Sequence, residues 1–217
     1  MRHLILACSA ALLVITAAPV SAQQIASRVL GARALPRVAF RGNVVAARGW
    51  TDRLGENVLL VTKTGCLTPN LEPGGTWCGD FETYAYHYVR RQPGGAYTLL
   101  WRTTDAVREC GEDVTLEPSA RTVAITDLDA DGVAETTFVY LLACRGGVDP
   151  AGMKLIMHEG ATKYAIRGST DMTREIGTYG RPTLHLDAAF QRAPASFRRF
   201  AVAHWNRFVR ESTWNQH

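Results

Sequence analysis

Residues 127 to 135 read Asp127-Leu-Asp129-Ala-Asp131-Gly132-Val133-Ala-Glu135, with carboxylates on alternate positions, then a glycine, then another carboxylate. Calcium takes roughly six to eight oxygen ligands, and short aspartates so spaced converge on one point when a glycine lets the backbone turn sharply behind them. The pattern assigns side-chain oxygens to Asp127, Asp129 and Asp131, a backbone carbonyl to Val133 and the closing carboxylate to Glu135. The cofactor expected is therefore a structural calcium ion. The alternative is a polar turn that holds no metal.

An EF-hand closes its loop with a glutamate at the twelfth position, which here is Phe138 in a strand-like run. Closure at the ninth position, with strands on both sides, resembles the calcium hairpin loops of integrin-type FG-GAP repeats. Such a loop pins a tight turn by neutralising carboxylates that otherwise repel, and extracellular modules of this kind bind at about 10⁻⁴ to 10⁻³ M.

The remaining chemistry is sparse. No G-x-S-x-G elbow, H-E-x-x-H helix or phosphate-binding glycine loop occurs. His87, His158, His185 and His204 are scattered; His158 beside Glu159 is a candidate base, and His204 reads as a core histidine. Asp80 and Glu82 form a candidate carboxylate pair for glycoside cleavage. Tyr84, Tyr86 and Tyr88 alternate, so they share one strand face, with Phe81, Ala85, His87 and Val89 on the other. That row, with Trp101 nearby, is a candidate platform for stacking on sugar rings, against the plainer expectation of core packing.

The elements that position these residues read as mainly β from residue 38 to 168, where short apolar or alternating runs are separated by turn signals. Successive hairpins are expected from 44–50 with 57–64, 81–91 with 96–104, 121–126 with 134–144, and 153–158 with 163–167, forming an antiparallel meander sheet or barrel. After a surface connection over 169–193, apolar residues at Phe197, Phe200, Ala201, His204, Trp205 and Phe208 describe one face of an amphipathic helix over about 194–211. Arg199, Asn206 and Arg210 fall opposite, as a solvated face. The acidic loop occurs once, which argues against a propeller or repeat array.

Arg2 and His3, an apolar run from Leu4 to Ala18 and the small-residue exit Pro19-Val20-Ser21-Ala22 read as a cleaved secretory signal over 1–22. Residues 23–217 then form one β-rich domain, periplasmic or secreted. Loss of Arg2 lowers the formal charge from +4 to +3, a mild excess that excludes a nucleic-acid footprint. No later segment is apolar enough to span a bilayer.

Of the 5 cysteines, Cys66, Cys78, Cys110 and Cys144 follow the leader. Four cysteines allow three pairings in an oxidising compartment. Cys66 with Cys78 and Cys110 with Cys144 is favoured, because the first pair brackets the turn-rich stretch of Pro69, Pro73, Gly74 and Gly75 and the second closes a longer loop. A zinc site is disfavoured by the absence of a C-x-x-C pair.

Ala85-Tyr86-His87-Tyr88, Thr126-Asp127-Leu128-Asp129 with Gly132 to Glu135, Cys144, Met153 to Gly160, Lys163-Tyr164-Ala165, Arg167-Gly168 and a closing Trp205 to Phe208 resemble a family of exported bacterial proteins labelled surface polysaccharide biosynthesis. The resemblance covers about residues 44 to 170 and the final helix. It implies a role at the cell envelope or its glycan, without naming a reaction, and a cysteine pair like Cys110 and Cys144. The leading expectation is a non-enzymatic accessory or binding protein of the envelope whose partner is a surface glycan or envelope protein. A glycan-acting hydrolase, or an inhibitor or partner-binding module working through an exposed edge or the basic helix, are the alternatives.

Overall fold

The computed structural model describes residues 23–70 and 77–214, so the expected secretory leader over 1–22 lies outside the described residues. Along the chain, β1 (Gln23–Gln24) and β2 (Arg28–Val29) precede a long hairpin of β3 (Asn43–Asp52) and β4 (Gly55–Lys63). The short pair β5 (Pro69–Asn70) and β6 (Trp77–Cys78) leads to the hairpin of β7 (Phe81–Arg90) and β8 (Thr98–Val107). Next come β9 (Asp113–Pro118), β10 (Ala124–Asp127), β11 (Glu135–Arg145), β12 (Gly152–Glu159) and β13 (Thr162–Ser169). The chain closes with α1 (Thr173–Ile176), β14 (Leu184–Leu186), α2 (Ala188–Arg192) and α3 (Ala195–Phe208).

The protein is mainly β, and its long strands divide into two antiparallel sheets. One has the order β2-β3-β4-β7-β8 and the other β1-β10-β11-β12-β13-β14, with β9 also paired to β11. The expected meander is thus split after β8, because both sheets present an apolar inner face that is covered only when they pack together. Trp50, Leu59, Ala85 and Trp101 of the first sheet meet Ile125, Phe138, Tyr140 and Ile156 of the second in one core. β9 and β10 lie end to end along β11, at Asp113–Pro118 and Ala124–Thr126. Between them Arg121 and Thr122, expected in a strand, form a tight turn. Thr122 Oγ1 donates to Ser119 O at 2.8 Å and accepts from Val139 N at 3.0 Å, a local side-chain bond that competes with the ladder.

The outer faces are covered differently. On the second sheet, Leu141, Met153, Leu155 and Ile166 pack against Phe190, Phe197, Ala201 and Trp205 of the helices. The helix expected over about 194–211 spans Ala195–Phe208, begins after Pro194, and buries Phe197, Ala201, His204, Trp205 and Phe208 as its periodicity requires. Arg199, Asn206 and Arg210 are exposed. On the first sheet, Leu30, Val58, Leu60 and the three tyrosines are capped by a strap that includes Leu35 and Val38.

The stretch 169–193 is more than a surface connection. β14 extends the sheet at β13, Phe190 is fully buried, and Asp187 caps α2 while accepting from Ala165 N at 3.0 Å. Both favoured disulfides are present, Cys66–Cys78 and Cys110–Cys144, with Cα–Cα distances of 5.8 and 5.5 Å. Among the described residues no helix is long and apolar enough to cross a membrane. The two disulfides fit an oxidising compartment.

Candidate metal centre

β10 and β11 deliver Asp127 and Glu135 to the two ends of the acidic loop, and the loop between them turns through positive φ at Ala130 (59°) and Gly132 (81°). The aspartates fold it by accepting its own amides. Asp127 accepts from Asp131 N at 3.1 Å and from Gly132 N at 3.2 Å, and Asp131 accepts from Val133 N at 2.7 Å. Glu135 is fully buried and accepts from Thr126 Oγ1 at 2.8 Å and Leu128 N at 3.0 Å.

Carboxylate oxygens of Asp127, Asp129 and Glu135 lie within 4.8 Å of one another, as do those of Asp129, Asp131 and Glu159, so Asp129 belongs to both groups. Either group could hold a metal ion. Glu159, absent from the expected ligand set, enters because it is the cross-strand partner of Glu135 in the register of β11 and β12. Like charges directly opposite repel. Burial pushes Glu135 up to about 8, with Asp129 adding to the effect, and burial followed by Asp129 and Asp131 pushes Glu159 up to about 7. Among the described residues the cluster makes one ion pair, Arg53 to Asp131 at 3.1 Å, at an exposed position. An all-oxygen set of this kind suits a hard cation.

The turn of the first sheet holds this loop in place. Asp52 Oδ2 accepts from Ala134 N at 3.0 Å and from Trp50 Nε1 at 2.9 Å, while Oδ1 accepts from Leu54 N and Asn57 Nδ2, both at 2.8 Å. Arg53 N donates to Gly132 O at 2.8 Å. Asp52 therefore couples the two sheets at the cluster. Nothing in its local sequence distinguishes it from an ordinary turn aspartate.

The other candidate residues are placed elsewhere, and several must be corrected. Tyr84, Tyr86 and Tyr88 do share one face, but they are only 4%, 3% and 6% exposed beneath the strap. Their hydroxyls are engaged: Tyr88 donates to Ala39 O, Tyr86 accepts from Arg41 N at 3.1 Å, and Tyr84 donates to Glu82. Trp101 is buried in the inter-sheet core and stacks on His158 at 3.9 Å between ring centroids. These rings are core, and a sugar cannot reach them.

His158 and Glu159 do not form an acid–base pair, because adjacent strand residues point to opposite faces. His158 faces the inter-sheet core, where burial drives its pKa down to about 3. His87, on the same core, bonds Asn57 through Nε2 at 2.9 Å and is driven down to about 4 by burial. His204 Nε2 lies 2.7 Å from Thr122 O, the satisfied core histidine that its position suggested. Asp80 is held low by the Thr68 hydroxyl, and Glu82 by the Tyr84 hydroxyl and by Arg108. Both are kept ionised, whereas a glycosidase acid must retain its proton.

No protein-family model, curated protein or solved structure matches the chain.

Proposed function

We propose that the chain is an exported, non-enzymatic binding or accessory protein of the cell envelope, stabilised by calcium at the acidic loop. The observation that carries the calcium reading is the pair of carboxylate groups, Asp127, Asp129 and Glu135 and Asp129, Asp131 and Glu159, that share Asp129 at one end of the sandwich. Glu135 and Glu159 face each other there across a strand pair. Without a cation, burial leaves Glu135 and Glu159 holding their protons well above the usual carboxylate range, and one exposed arginine does not ionise them; a bound cation would take the place of those protons. Calcium is favoured over magnesium because it tolerates an irregular cage of many carboxylate and carbonyl oxygens, whereas magnesium demands near-octahedral geometry and keeps its waters. The ligands would come from Asp127, Asp129 and Glu135 or from Asp129, Asp131 and Glu159, with the Val133 carbonyl as the loop pattern expects.

Export is supported by the leader-like first 22 residues and the two disulfides. The link to surface polysaccharide rests on the residue blocks that resemble that family. A binding role is supported by how the candidate catalytic groups are held, with His87 and His158 in the core and Asp80 and Glu82 in hydrogen bonds. The test is isothermal titration of the mature, chelator-treated protein with calcium. Saturable binding that Asp129→Ala removes supports the reading, and heats indistinguishable from buffer dilution refute the metal site.

A further inference from the structure

We infer that the outer edge of β3 is a docking site for an extended acidic peptide segment of a partner protein, which adds there as a short strand. This goes beyond the calcium reading and does not depend on it. β2 pairs with β3 only at Gly49 and Arg48, and the last bond on that side is Leu30 N to Ala47 O at 3.1 Å. Over Asn43–Ala46, β3 has β4 on one side and, among the described residues, no strand on the other. Four residues of edge span about 13 Å, enough for a short added strand.

A groove of about 510 Å³ runs beside this edge, lined by Val29, Leu30, Leu35, Phe40, Val44 and Ala46 among others. Val29 is 73% exposed, Phe40 37% and Val44 38%, which gives the groove an apolar rim. A peptide strand would lay alternate apolar side chains into the groove while its backbone pairs with the edge.

The charge around the groove selects the occupant. From Gln23 to Thr51 the chain carries Arg28, Arg33, Arg37, Arg41 and Arg48 and no aspartate or glutamate; Arg48 lines the groove, and Arg33 and Arg37 fall in the chain among its lining residues Ala32, Leu35 and Phe40. Arg33 and Arg37 are exposed and make no hydrogen bond or ion pair among the described residues. A second copy of this chain pairing here would oppose two such basic edges, so self-association is disfavoured by the same charges that favour an acidic partner. The irregularity between Val44 and Ala46 bends the edge and further discourages long flat pairing.

The experiment selects binders from a random-peptide phage library on the mature, oxidised protein. It then measures the synthesised winner by fluorescence anisotropy and by hydrogen–deuterium exchange, with and without calcium. The expected result is peptides rich in Asp and Glu with alternating apolar residues, added protection confined to about residues 43–47, and at least tenfold weaker binding to Arg33→Glu/Arg37→Glu. Both arginines are exposed and unbonded, so that variant should fold; its melting temperature serves as the control. Recovery of no binder, or of binders without acidic residues, overturns the inference, as does unchanged affinity in the double variant or protection elsewhere. Sedimentation that shows a dimer protecting the same amides would identify a second copy as the occupant and also overturn it.

Discussion

Asp129 is the residue on which the acidic cluster turns, since it is shared by both groups of carboxylates. Asp129→Ala should lower the melting temperature clearly in calcium and much less in chelator, where the aspartate contributes a long bond from Asp131 N at 3.4 Å against its repulsion. Equal losses in both conditions would mark Asp129 as a turn residue alone. Asp52 makes the opposite prediction, because its four bonds involve no metal. Asp52→Ala should cost about 2 kcal/mol or more, read by urea unfolding, to the same extent with calcium and with chelator. His87 gives a pH dependence. Its folded pKa of about 4 lies below the unfolded value of about 6.5, so the unfolded chain binds the extra proton between those limits. Stability from this group is complete above about pH 6.5 and is lost as the pH falls through 4, by at most about 3 kcal/mol. His87→Leu should flatten the stability-versus-pH slope in that window whatever it does to the plateau. An unchanged slope would place the acid sensitivity elsewhere.

At the level of elements, the hairpins and the final helix were readable because their signals are local. Alternation in β7 put three tyrosines on one face, and the helical spacing from Phe197 to Phe208 selected the buried face of α3. What alternation cannot say is what covers a face, so it could not show the strap over the tyrosines or the stacking of Trp101 on His158. Glu159 was missed for a related reason. Assigning it to a turn ended β12 one residue early, and only the register against β11 sets it opposite Glu135. Asp52 and Ala134 are 82 residues apart, a contact that no local pattern encodes. The disulfide at Cys110–Cys144 belongs to this scale too, since it ties the loop after β8 to the end of β11. Replacing both cysteines by serine should cost about 3 to 4 kcal/mol in the chain-entropy view, visible as a lower urea midpoint at pH 7. A change below about 1 kcal/mol would mean that the reduced chain already holds these segments together.

For the whole molecule, the acidic loop sits where the two sheets are fastened together, between the β3–β4 turn and the ends of β10, β11 and β12. On the proposed reading, a cation there would stabilise both sheets at once by relieving repulsion among groups that belong to three strands and a loop. The measurement that tests this most directly is thermal melting of the mature, oxidised protein in about 10 mM calcium and in chelator. For a site of about 10⁻⁴ to 10⁻³ M, binding to the native state alone adds about 1.4 to 2.7 kcal/mol. That corresponds to an upward shift of about 3 to 10 °C for a chain of this size. A shift in that range, abolished in Asp129→Ala, is the predicted result. Coincident melting curves in calcium and chelator would contradict the account and reduce the loop to an acidic turn.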